Sequence, residues 1–217
     1  MDYAAVRHNM VESQIRTNDV TSVAVIAAMG EIPREKFVPQ DKADIAYVDE
    51  AIAVADGRYL MEPMVFARLL QIAQIGEDDD ALDIGCGTGY SSAVLASVAG
   101  TVVAVEEDAD LAQKASALLT ELGIDNAAVI EGPLVSGYAK QAPYDVIVFS
   151  GAVEEVPVSF VDQLADGGRL ICIRTKGDGL GRGIQMTKSG DQVAEKEVFD
   201  AGSPLLPGFA KKTSFTF

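Results

Sequence analysis

The segment "LDIGCGTGY", residues 82–90, carries the strongest chemical signal in the chain. Asp83 precedes Gly85, Gly87 and Gly89, where an apolar run gives way to a helix-like one. Glycines there let the backbone approach a ligand closely and turn at once into the helix. A dinucleotide fingerprint needs G-x-G-x-x-G, and the position of its third glycine is held by Tyr90. An acid followed by G-x-G-x-G instead favours a nucleoside whose amino-acid tail, rather than a pyrophosphate, lies on the loop. Glu106 ends the next apolar run, 17 residues after Gly89. A carboxylate there accepts hydrogen bonds from both ribose hydroxyls. The competing reading is a tight strand-to-helix turn with no ligand. Asp83 and Glu106 at successive strand ends weigh against it.

These residues need a scaffold, and the pattern from residue 81 supplies one. "ALDIG", "TVVAVEED", "NAAVIEG", "YDVIVFS" and "RLICIRT" read as short buried strands. Helical runs alternate with them: SSAVLASVAG ending at Gly100, LAQKASALLTELG with Gly123 at its C-terminus, and VPVSFVDQLADGG. "DGGRL", 166–170, reads as the turn into the fifth strand. Alternation of this kind predicts a doubly wound α/β sheet, mostly parallel. Weaker strand signals at "GIQMTKSG" and "KTSFTF" suggest an antiparallel edge. Residues 1–62 read as a helical N-terminal region with a substrate loop, and 63–217 as one compact ligand-binding domain. The first forty residues are read as helical, with Asn18-Asp19 capping the second helix and the prolines of "IPREKFVP" ending it. Residues 63–75 form a further amphipathic helix, opened by Pro63 and stopped by Gly76.

Composition narrows the chemistry. The chain has 217 residues, 33 acids and 17 bases, for a net charge of −16. Such a field repels nucleic acid and anionic membrane surfaces. No apolar run spans a bilayer and the N-terminus lacks a signal-peptide core, so a cytoplasmic location is expected. His8 is the one histidine, which makes imidazole-based catalysis improbable; a surface place on the first helix is expected for it. Cys86 and Cys172 stand far apart in no ligand spacing, so structural thiols are expected and no metal site.

The loop, its acid and Glu106 together resemble a class I S-adenosylmethionine-dependent methyltransferase. "MVESQIR" followed by "VIAAMGEIPREKFVP" narrows this to the protein-L-isoaspartate O-methyltransferase family, which methylates isoaspartyl carboxylates to repair proteins. "AYVDEAI", "APYDVIVFSGAVEEVP" and "QLADGGRL" continue the similarity in order, weakening after about residue 175. The resemblance implies S-adenosylmethionine as cofactor, held by Asp83, Gly85, Cys86, Gly87, Gly89, Tyr90, Glu106 and Gly132. It implies a protein or small-molecule methyl acceptor and leaves the oligomeric state open.

Two stretches depart from the family pattern. Where the family carries G-Q-T-I-S-Q-P, this chain has Gly57, Arg58, Tyr59, Leu60, Met61, Glu62 and Pro63. Met61 replaces the serine implicated in activity. Register with the family puts Tyr59, Leu60 and Met61 as an apolar wall over the methyl end of the cofactor pocket. Where the family has Gly-Asp-Gly after the third strand, this chain has Gly132, Pro133 and Leu134. Pro133 lacks both the carboxylate and the N–H that would serve the adenine. Arg58, Tyr59 and Met61 are the candidate substrate-loop residues, the catalytic residue itself being unassigned. Arg58, Arg174, Lys176 and Arg182 are candidate sources of positive potential for an anionic acceptor, against the reading of each as a solvated surface base. Three functions stay open: a methyltransferase of altered acceptor specificity, a genuine isoaspartyl repair enzyme, and a non-catalytic cofactor-binding module. A nicotinamide oxidoreductase stands further off.

Overall fold

The computed structural model describes residues 1–176 and 180–211. Helix α1 (Tyr3–Met10) starts at Asp2, whose side chain accepts from the Ala5 amide at 3.2 Å. It runs on through one π turn, Val11–Ile15, and one 3-10 turn, Arg16–Asn18, and stops at Asp19 with φ 63°. Asn18-Asp19 therefore ends the first helix rather than capping the second. The cap of α2 (Val23–Glu31) is Ser22, whose hydroxyl accepts from Val25 N–H. After α2 come two 3-10 segments, Arg34–Phe37 and Gln40–Ile45.

The N-terminal region is not helical throughout. Strands β1 (Ile52–Ala55) and β2 (Arg58–Leu60) form an antiparallel hairpin whose turn holds Gly57 at φ +64°. The turn formers Asp56-Gly57 thus join two strands, a connection that left-handed backbone favours. Helix α3 (Pro63–Ala73) follows at once, with Pro63 in its first turn, and ends at Gln74 (φ 50°) before Gly76 is reached.

From there strand and helix alternate: β3 (Asp80–Ile84), α4 (Tyr90–Ala96), β4 (Thr101–Glu106), α5 (Ala109–Glu121) and β5 (Ala127–Glu131). Next come β6 (Tyr144–Val153), α6 (Val158–Asp162), β7 (Leu164–Thr175), β8 (Gly181–Ser189) and β9 (Gln192–Ala201). The sheet order is β5-β4-β3-β6-β7-β8-β9, parallel up to β7 and antiparallel from β7 to β9. The antiparallel edge is therefore built by β8 and β9, whereas the "KTSFTF" signal lies outside the described residues. Helix α6 has five residues only, because β7 begins at Leu164 and takes in the "DGG" turn.

Side chains alternate across the central strands. Ala81, Val102, Val146, Val148, Ile171 and Ile173 pack on one side with α2, α3, α4 and the N-terminal segments. Leu82, Ile84, Val103, Val105, Ile147, Phe149 and Cys172 pack on the other with Phe160 and Phe209. A strand covered on both faces needs apolar residues at consecutive positions, and these strands have them. Both cysteines are buried and free. His8 is exposed on α1. Among the described residues no helix is long and apolar enough to cross a membrane.

Candidate functional site

Strand β3 has β4 on one side and β6 on the other, so the chain reverses its direction of travel across the sheet there. In open α/β sheets this reversal opens a crevice at the carboxyl ends of the strands. Asp83, Glu106 and Ser150 all lie at those ends. The loop after β3 turns on three left-handed glycines, Gly85 (φ +79°), Gly87 (+57°) and Gly89 (+94°). A Cβ on Gly89 would meet Ala115 of α5 at 3.0 Å, so this glycine serves helix packing. Gly85 N–H donates to Val105 O at 2.9 Å, fixing the loop to β4.

Asp83 is fully buried, and three hydroxyls satisfy it. Ser150 donates to Oδ1 at 2.6 Å, while Ser91 and Ser92 donate to Oδ2 at 2.6 and 2.7 Å. Burial raises its carboxyl above the ordinary range, and the hydroxyls from Ser150, Ser91 and Ser92 oppose that. Cys86 is buried beside it, its thiol pushed well up by desolvation and by the acids Asp83 and Glu106. Such a thiol is not a nucleophile.

Glu106 is also buried. Its Oε2 accepts from Arg58 Nη2 at 2.6 Å and from Gly87 N–H at 2.7 Å. Its Oε1 accepts from the Glu107 and Asp108 amides at 3.0 and 3.2 Å. Burial raises this carboxyl too, against the pull of Arg58. Arg58 was expected as a solvated base or as a source of potential for an anionic acceptor. It is 4% exposed, with its charge committed to Glu106, and its Nη1 has no hydrogen-bond partner. Of the other bases considered, Arg174 pairs with Glu195 at 2.5 Å and Arg182 pairs with Asp200. Lys176 is exposed.

The β2–α3 junction lies against the same glycine loop. Leu60 and Met61 are buried and Tyr59 is 40% exposed. All three line a cavity of about 10 Å³ together with Phe66, Gly85, Tyr90 and Ser150. That is room for no more than one water. A second, open cleft of about 640 Å³ is lined by Arg58, Glu107, Asp108, Glu131, Gly132, Pro133 and Pro207. A small-molecule site usually takes 300–1,000 Å³, as roughly judged from known pockets. The strand ends therefore offer a roomy cleft beside Gly132 and a much smaller cavity beside Gly85.

Sequence reasoning missed Arg34, which positions the altered loop from below. It is fully buried; Nε donates to Ala46 O and Nη2 to Met61 O, both at 2.6 Å, and its guanidinium carbon lies 4.9 Å from the Tyr90 ring centre. The arginine in "IPREKFVP" offered only its type as a signal, since both acceptors are backbone atoms of distant loops. Also missed was Leu206, whose side chain reaches Gly85 from the far end of the chain.

The protein-L-isoaspartate(D-aspartate) O-methyltransferase family model matches residues 5–200. Protein-L-isoaspartate O-methyltransferase 1 of Rhodopseudomonas palustris is 40% identical over 169 residues, 78% of this chain and 69% of that protein. A solved protein-L-isoaspartate O-methyltransferase aligns with a TM-score of 0.81 at 26% identity, over 93% of this chain and 66% of that one. A Plasmodium falciparum structure described as a putative member, in complex with S-adenosyl-L-homocysteine, aligns with a TM-score of 0.75 at 19% identity. It covers 95% of this chain and 98% of its own, and shows a shared fold.

Proposed function

The chain belongs to the protein-L-isoaspartate(D-aspartate) O-methyltransferase family of S-adenosylmethionine-dependent methyltransferases, and from that premise we propose a changed methyl acceptor. When bound, that cofactor supplies a methyl group already activated by its sulfonium. What remains for the protein is to hold, orient and dehydrate the reacting groups.

The residues beside the larger cleft fit a nucleoside. Glu106 stands at the end of β4 to accept ribose hydroxyls, and Gly132 leaves open space beside Pro133, on which a base can pack. Asp83 holds the loop through Ser91, Ser92 and Ser150, so its role is positioning. At Gly85 the fit fails in this arrangement, because Arg58 and Leu206 stand against it: a Cβ there would lie 3.3 Å from Arg58 Nη2 and 2.7 Å from Leu206 Cδ2.

One observation carries the change of acceptor. Met61 is buried at the smaller cavity with its carbonyl clamped by Arg34. A small hydroxyl at this position would serve an ionised carboxylate; a thioether offers it nothing but an apolar contact. Burial raises the Glu62 carboxyl, with Asp49 and Glu50 adding to the rise and Arg34 opposing it. An acceptor less charged than an isoaspartyl side chain follows. The test is labelled methyl transfer to an isoaspartyl peptide beside its aspartyl twin, for the natural chain and for Met61→Ser. Incorporation near background into both peptides by the natural chain, rising for the isoaspartyl one in the variant, is the expected result. Strong isoaspartyl-specific transfer by the natural chain would instead establish a repair enzyme.

A further inference from the structure

Two side chains from distant parts of the sequence meet at Gly85. Arg58 arrives from β2 and Leu206 from the segment after β9. That segment is fastened to the end of β6: Ala152 N–H donates to Pro204 O at 2.9 Å, and Leu206 N–H donates to Ala152 O at 2.8 Å. Glu154 N–H donates to Phe209 O at 3.1 Å. Phe209 anchors the end of the segment in the core, edge-on to Phe149 with ring centres 5.3 Å apart. Leu206 itself is 4% exposed. A Cβ on Gly151 would meet its Cγ at 2.6 Å, so the leucine fills the space above two glycines at once.

Arg58 works on the polar half of the same place. Its Nη2 takes Oε2 of Glu106, an acceptor that ribose hydroxyls would use, in a charge-assisted bond stronger than a neutral hydroxyl makes. Its Nη1 is left buried and unpartnered, a cost this arrangement carries. Gly85, which both side chains contact, also lines the cavity of about 10 Å³, and Arg58 lines the cleft of about 640 Å³. The backbone frame is thus that of a nucleoside site, with the protein's own groups standing in it.

We infer that Arg58 and Leu206 form an intramolecular stopper, so that cofactor binding requires the guanidinium to leave Glu106 and the residue 204–209 segment to leave Ala152. The inference rests on the methyltransferase reading and adds a regulation to it. Affinity is then set by a competition within the chain: a ligand gains only its preference for the withdrawn arrangement over the stoppered one. Anything that draws the C-terminal segment away, including a partner that binds it, raises cofactor affinity.

Calorimetric titration with S-adenosylhomocysteine tests this on the natural chain, Arg58→Gln, Leu206→Ala and the double variant. Each single variant is expected to bind at least about tenfold more tightly than the natural chain, and the double variant more tightly still. Amide hydrogen exchange on the natural chain gives a measurement that does not depend on any variant folding. Saturation with the same ligand is expected to speed exchange at Leu206, whose N–H loses Ala152 O. Equal or weaker binding by both variants, or slower exchange at Leu206, overturns the stopper while leaving the methyltransferase reading intact. Absence of binding by all four proteins at millimolar ligand overturns both.

Discussion

The strand ends around Asp83 and Glu106 and the cap around Arg34 and Glu62 both bury charge, but they satisfy it differently. At the strand ends every carboxylate oxygen is matched, by three hydroxyls on Asp83 and by a guanidinium and three backbone amides on Glu106. In the cap the Glu62 carboxylate has an oxygen, Oε2, with no hydrogen-bond partner, whereas at the strand ends it is a guanidinium nitrogen, Arg58 Nη1, that is left unmatched. A matched cluster loses stability when any member is removed. An unmatched one leaves room for improvement, because a buried polar group without a partner costs about 1–3 kcal/mol. Departures from the family pattern fall in both regions, Arg58 and Pro133 at the strand ends and Met61 and Glu62 in the cap.

The sharpest way to break the contrast is at the matched end. Asp83→Ala strands three buried hydroxyls and should lower unfolding stability by roughly 4 kcal/mol in urea melts. A loss under about 1 kcal/mol would mean that the serines repair themselves locally. Next comes Arg34→Met, which leaves the Ala46 and Met61 carbonyls unpaired while keeping much of the packing on Tyr90. Its expected cost is about 3 kcal/mol, read in the same melts. Glu62→Gln works in the opposite direction: removing a half-buried charge beside Asp49 should stabilise the chain by about 1 kcal/mol. A destabilised Gln variant would show that Oε2 has a partner in solution.

The smallest effect is a pH dependence. Burial raises the carboxyls of Asp83, Glu106 and Glu62 in the folded chain. Each therefore holds its proton to a higher pH when folded than when unfolded, and stability falls as pH rises from the ordinary carboxylate range through the raised values. Self-repulsion at a net charge of −16 acts in the same direction. Thermal melts should show a higher Tm near pH 5.5 than near pH 8, with a shallower slope in Glu62→Gln. A Tm that rises with pH would contradict this sign.

The parallel sheet was legible because its strands declare themselves. "YDVIVFS" is apolar on both faces, and "LDIGCGTGY" shows where a strand must become a helix. The hairpin of β1 and β2 was not read. Its strands have four and three residues, too few to display a period of two, although Asp56-Gly57 between apolar runs was the available hint. Ser22 rather than Asn18-Asp19 caps α2 because Asp19 takes a left-handed conformation that ends the preceding turn. Site positions at successive strand ends follow from local pattern. The state of Glu106 does not: its guanidinium partner is 48 residues away in sequence, and Leu206 reaches Gly85 across 121. Contacts of that span are decided by packing, and no window of sequence contains them.

Among the described residues strand β9 forms one rim of the sheet, exposed from Gln192 to Glu197, and carries Glu195, Lys196 and Glu197 in a row. An open rim has free amides and carbonyls that invite another chain to add a strand, and alternating charge makes that addition unfavourable. Stacking copies through this rim would bring Glu195 and Glu197 toward equivalent acids already in excess. The described sheet thus ends in a fence of charge against strand-by-strand growth.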